Sequence, residues 1–197
     1  MRKIFTIALL LAFVGLYTDA LAMGKGPRNT LVLRMVGTQV GEMREIDTDG
    51  VGGPDTTANC FDITLEDPKT NEFVGIASDC LYNDEVLNVD DPACDSAASL
   101  VGCSVRLVDT AFFRLYSGTF VSQGTVSIQP VIDNDSKRGG ISHITGSYPK
   151  GDNIRYGLEA YARKKGQVRL SGAVDMSRLA SHNEISFDCL FHIHMDK

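Results

Sequence analysis

Three long stretches of two-residue alternation constrain this chain more than any other feature. In Gly118–Val131, Val126, Ile128 and Pro130 fall on one side, and Thr125, Ser127 and Gln129 on the other. In Gln167–Ser177, Val168, Leu170 and Val174, with Gly172 in register, oppose Arg169, Ser171 and Asp175. In Glu184–Met195, Ile185, Phe187, Cys189, Phe191, Ile193 and Met195 oppose Asp188, His192 and His194. A period of two belongs to strands buried on one face. Glycines inside such strands mark bends or close backbone approaches. Long antiparallel strands that bend remove their own exposed edges by closing. The predicted fold class is therefore all-β, a single antiparallel barrel.

The rest of the chain fits around these strands. Thr30–Val40 reads as a strand, and Gly41–Thr57, dense in Gly and Asp, as a long loop. Asn59–Glu66 and Glu72–Leu81 read as a hairpin turning through Asp67-Pro68-Lys69-Thr70-Asn71. Tyr82–Ser99 is acidic and irregular, and Val101–Tyr116 forms one or two strands. Ile141–Tyr148 is a short strand after the loop Asp133–Gly140, and Arg178–Asn183 a polar loop; for Ile154–Ala162 the flanking glycines favour a bulged strand over the alternative, a helical turn in LEAYARKK.

The start of the chain is not part of this pattern. Arg2 and Lys3 precede an apolar run, Ile4–Leu16, and Ala20-Leu21-Ala22 fits a small-x-small cleavage site. Residues 1–22 are read as a cleaved signal peptide and residues 23–197 as one domain, secreted or periplasmic. The apolar run is short for a membrane span, so stable membrane insertion is not expected. Without the leader, 17 basic residues face 24 acidic ones, a balance of −7. That charge argues against nucleic acid and anionic membranes as partners. Tryptophan is absent.

In an exported chain, cysteines are read first as disulfide partners. Counting outward from the hairpin turn places Cys60 nearly opposite Cys80, and Cys94 and Cys103 bracket a short loop that a bridge could close. Cys189 is then the odd thiol, on an apolar face that favours a buried, inert sulfur. The alternative, in which Cys189 takes one of the hairpin partners, stays open.

Two segments resemble a known group. SHITGSYPKGDNIRYGLEAYARKKGQVRLSGAVDM, residues 142–176, is similar to the core of the allene oxide cyclase and dirigent-like β-barrel superfamily. Gly157, Tyr161 and Gly166 keep the spacing of its GTGxFxxAxG segment, while Leu158, Glu159 and Lys164 depart from it. Upstream, FFRLYSGTFVSQGTVSIQP is similar to the dirigent F-x-x-x-G-T strand pair. The resemblance implies an eight-stranded barrel with an apolar interior, often trimeric, acting without metal or organic cofactor. Such proteins hold a reactive hydrophobic molecule in one conformation while it cyclises or couples, which lowers an entropic barrier. Tyr161 lies on the family-like segment.

Among candidate site residues, Asp109 is the most informative. It shares a strand face with Val105, Leu107, Ala111, Phe113 and Leu115, and an acid there must be paired, neutralised or aimed at a cavity. Asp109 and Tyr116 are the candidate catalytic residues, with Phe113 and Tyr161 as ligand contacts. A bulge turning Asp109 outward, or a pairing with Arg34 or Arg106, is the structural alternative. His192-x-His194 has the spacing of paired ligands but no identifiable third. The Asp47-x-Asp49-Gly50 loop lacks the distal glutamate of an EF-hand, so it is read as an acidic turn, and no metal is assigned. Asn134-Asp135-Ser136 is a glycosylation sequon. No G-x-S-x-G elbow or phosphate-cradling loop is present.

The expected function is binding of a small hydrophobic molecule, with a cofactor-free cyclase or dirigent-like guide as its enzymatic form. A dimer or trimer is the expected oligomer. The rivals are a non-catalytic ligand- or protein-binding barrel and a structural surface component. A cavity of ~300 Å³ or more separates the binding readings from the structural one.

Overall fold

The computed structural model describes residues 29–86, 103–131, 140–146 and 151–196. The expected leader, the sequon at Asn134 and Cys94 lie outside these residues. The strands are β1 (Thr30–Val40), β2 (Glu42–Ile46), β3 (Thr56–Glu66), β4 (Phe73–Val86) and β5 (Val105–Leu115), followed by β6 (Gly118–Pro130), β7 (Ile141–Gly146), β8 (Ile154–Gly157), β9 (Gly166–Asp175) and β10 (Glu184–Met195). Among the described residues, a 3-10 turn, Glu159–Tyr161, follows β8, and a helical turn, α1 (Leu179–His182), precedes β10.

Antiparallel pairing runs β1-β10-β9-β7-β6-β5-β4-β3. Arg34–Val36 then pair with Thr64–Glu66, bringing β3 back to β1 and closing an eight-stranded barrel. The two remaining strands lie beside this ring. β2 pairs with the Thr56–Cys60 end of β3, where β1 has already peeled away. β8 takes Phe120–Ser122 of β6, while β7 takes Val126–Pro130. No helix among the described residues is long and apolar enough to cross a membrane.

Alternation sets the inside of the barrel as expected. In β10, Ile185, Phe187, Cys189, Phe191, Ile193 and Met195 are buried, while Asp188, His192 and His194 are exposed. Large side chains fill the interior. Phe113 stacks on Phe120 with centroids 4.5 Å apart and meets Phe191 edge-on at 4.9 Å. Phe120 packs on Tyr161, and Phe61 on Phe187. Fully burying each such ring contributes on the order of 1.5–3 kcal/mol.

Four expectations are corrected. Gly41–Thr57 is not one loop, because it holds β2 and the first residues of β3. The chain bends at Gly41, where a Cβ would lie 2.4 Å from the Asn59 side chain. Asn183 pins that bend, its main-chain oxygen accepting from the Gly41 N–H and its side-chain amide donating to the Gly41 oxygen. Tyr82 does not begin the irregular segment; β4 continues to Val86. Ile154–Ala162 is a bulged strand only over Ile154–Gly157, which pairs with β6 across a register shift; beyond it Glu159 and Arg163 take left-handed φ values of 56° and 61°, which turn the chain. Arg178–Asn183 contains α1, ended by Asn183 at φ 52°.

A second, smaller apolar cluster lies on the outer side of the barrel wall. Ile46, Ala58, Cys60 and Cys80 form it, with Tyr82 and Phe112 packed against them. β2 lies over the wall here, so the middle of β3, β4 and β5 is buried on both faces: Cys60–Phe61, Ala77–Cys80 and Asp109–Ala111.

Candidate functional site: an outer groove and an inner carboxyl pair

Two places in the molecule carry chemistry, and the barrel wall separates them. The first is a groove of about 400 Å³ on the outside of β3–β6. Its apolar lining comes from Ile46, Phe112 and Val121 together with the Cys60–Cys80 disulfide. The two cysteines are direct cross-strand partners in β3 and β4, their Cα atoms 4.0 Å apart, as the hairpin count predicts. Tyr156 on β8 forms the opposite wall.

A charged network borders the groove. Arg44 on β2 donates to both oxygens of Asp62 at 3.0 Å and to Glu42 at 2.8 Å. Arg114 on β5 donates to Ser78 at 2.7 Å and to Asp62 at 3.3 Å, and Ser78 also donates to Asp62. The hydrogen bond from Arg44 holds the Asp62 carboxyl well below the usual range, at about 2, against the opposing effect of partial burial. These cations already have acidic partners, so the groove presents a neutralised polar rim above an apolar floor.

The loop between β2 and β3 reaches across to β8. The Tyr156 hydroxyl donates to the Asp47 main-chain oxygen at 3.3 Å. Gly50, at φ +77°, lies so close that a Cβ would sit 2.7 Å from the Tyr156 ring. Asp47, Asp49 and Asp55 gather within 4.8 Å in this loop. Its own donors engage them: Asp47 accepts from the amides of Asp49 and Gly50, Asp49 from that of Val51, and Asp55 from Thr48.

The second place is inside the barrel. Asp109 points inward from β5, as its strand face requires, with 7% of its surface exposed. The expected alternatives, an outward bulge or pairing with Arg34 or Arg106, are not what holds it. Arg34 pairs with Asp188 at 3.0 Å instead. The neighbour of Asp109 is Asp79 on β4, fully buried and within hydrogen-bonding reach. Burial raises both carboxyls above their ordinary range, and the charge of Asp79 pushes Asp109 further. Beside Asp109 lies a cavity of about 10 Å³, room for roughly one water.

The sequence-derived site does not assemble. Tyr116 is 71% exposed at the β5–β6 turn, edge-on to Phe73, and shares no cavity with Asp109. Phe113 and Tyr161 are core residues, with the Tyr161 hydroxyl bonded to Ser117, and of the two only Phe113 borders the outer groove. Cys189 is free and buried, its thiol pushed up to about 12 chiefly by burial. Cys103 is buried and disulfide-bonded, while its expected partner Cys94 lies outside the described residues. His192 and His194 stand on the outer face, the latter 3.2 Å from the Thr30 hydroxyl.

Asp79 was legible. Period two through FVGIASDCL places it with Gly75, Ala77 and Leu81, as it places Asp109 with Ala111. The groove gave no such signal, because its walls come from β2 and β8, which meet only in the folded chain. In comparisons with known proteins, no family model and no curated protein matches this chain.

Proposed function

We propose that this chain is an exported, non-catalytic binding barrel that takes a small, mostly apolar molecule in the outer groove rather than inside the barrel. The observation that carries this reading is the groove itself. Its volume of about 400 Å³ falls in the range of small-molecule sites, and a largely apolar lining with a few placed polar groups is typical of them. Arg44, Asp62, Ser78 and Arg114 are mutually satisfied, so they orient a ligand through hydrogen bonds rather than capturing a full charge.

Export is supported by the leader pattern of residues 1–22 and by the disulfide, which persists in oxidising compartments. The likeness to the allene oxide cyclase and dirigent-like group agrees with the barrel, but its guided-cyclisation chemistry needs substrate beside Asp109. A space of about 10 Å³ there leaves no room for one. The barrel interior is thus assigned to stability and the outer face to binding.

The test is titration with a panel of apolar fluorescent probes, on the parent and on Val121→Phe, which places a ring in the groove between Phe112 and Tyr156. One-to-one binding by the parent and its loss in the variant are expected. No binding to the parent, or unchanged binding to a folded variant, overturns the groove reading.

A further inference from the structure

We propose that Asp79 and Asp109 form a proton-operated lock on the barrel, and that the seam of β6 beside Asp109 loosens when the pair loses its shared proton. The pair is built for this by what surrounds it. Among the described residues, the buried polar ones are Ser78, Asp79, Asp109, Thr110, Ser122, Ser142 and Asn153, none of them cationic. As two carboxylates, neither acid can donate to the other, and both Asp79 oxygens and Asp109 Oδ1 lack hydrogen-bond partners. One proton between them supplies the missing donor and removes one of two like charges from an apolar interior.

Among the described residues, no other group nearby can take over that role. From β10, Cys189 faces Asp79, and its thiol, pushed up to about 12, offers no positive charge. β6 and β7 present Ser122, Gly124 and Gly146 at the cavity, and β9 and β10 present apolar side chains, none of which titrates. Burial holds both carboxyls above the ordinary range, which is the direction that keeps a proton on the pair near neutrality.

The seam is the weak stretch of the wall. β8 leaves β6 at Ser122 and β7 joins it at Val126. Between them, Asn153 bridges the gap. Its main-chain oxygen accepts from Gln123 N at 3.0 Å, and its main-chain N–H donates to Gly166 at 2.9 Å. Its side-chain amide pairs with the Val168 main chain, donating at 3.0 Å and accepting at 2.7 Å. Among the described residues, Asn153 therefore stands in for a strand segment, directly beside the cavity that Asp109 lines. A second negative charge in the pair would draw water into that cavity and strain this clamp first.

The experiment measures urea unfolding of the full chain between about pH 5 and about pH 8, for the parent and for the Asp79→Asn/Asp109→Asn double variant. A carboxyl raised in the folded state stabilises fully below its ordinary range and loses that contribution as pH rises through the raised value. The parent's unfolding constant should therefore climb by up to about tenfold per pH unit, and the variant's should stay flatter. Parallel profiles overturn the proposal. Hydrogen exchange at the Gln123 and Val168 amides of the parent should accelerate with pH, beyond intrinsic chemistry, before that at Met35 and Leu65. Earlier loss at Met35 and Leu65 overturns the assignment of the seam. If the double variant does not fold, infrared spectra of the parent decide: a protonated carboxyl band at neutral pH is expected, and its absence overturns the lock.

Discussion

Asp62 and Asp79 lie one register step apart, on β3 and β4, and point to opposite sides of the same wall. Outside, Asp62 has Arg44, Arg114 and Ser78 around it, and its carboxyl is held down to about 2. Inside, Asp79 has Asp109 and no cation, and its carboxyl is pushed up. The side chain is the same, so environment alone reverses the sign. Phe112 and Phe113 repeat the contrast between adjacent residues. Both border the groove, but Phe113 is fully buried against Phe120 and Phe191, while Phe112 is only half-buried. The comparison teaches that this wall separates a face committed to packing from one left partly open.

The comparison can be broken most decisively at the phenylalanines. Phe113→Ala should cost about 3–5 kcal/mol in chemical unfolding, because a fully buried ring leaves a cavity between its partners. Phe112→Ala should cost clearly less and instead reduce probe binding. Equal losses at the two sites would show that the wall has no open side.

Next in size is the disulfide that floors the groove. Converting both Cys60 and Cys80 to alanine should remove about 2–4 kcal/mol, since the bridge closes a loop of sequence separation 20. Unfolding of the parent and the variant side by side without reductant checks this, since the Cys103 disulfide is intact in both.

The carboxylate contrast gives a smaller effect with a definite sign. Asp62, depressed in the folded state, contributes stability above the ordinary carboxylate range and loses it as pH falls through about 2. Asp62→Asn should lower stability at neutral pH by under about 1 kcal/mol, because the ion pairs are partly exposed. The parent should also lose more stability than the variant on strong acidification. The inner pair has the opposite slope at higher pH, so the two sites are separable in one titration.

The smallest effect is expected at Tyr116. Tyr116→Phe should change stability by less than about 0.5 kcal/mol and leave probe binding intact, since the hydroxyl stands at an exposed turn. Loss of binding in this variant would move the ligand away from the groove.

Alternation made the barrel readable, together with the inward face of Asp109, the Cys60–Cys80 pairing and the buried state of Cys189. Each follows from a period of two and a short count across a hairpin, both local in the chain. β2 was hidden because EMREI buries only Ile46 and takes its place from a bend pinned by Asn183, far away in sequence. Tyr116 counts to the face opposite Asp109, and it stands exposed just past the end of β5 at Leu115, so naming it beside Asp109 went against the period itself.

What the sequence determined by itself is which side chains share a face and that those faces want a closed sheet. Only the tertiary structure decided that the interior is full, that Asp79 meets Asp109, and that β2 and β8 raise walls around an outer groove. The division has a physical cause. Face and period are set by neighbouring residues along one strand, whereas volume and charge proximity depend on how distant strands are brought together.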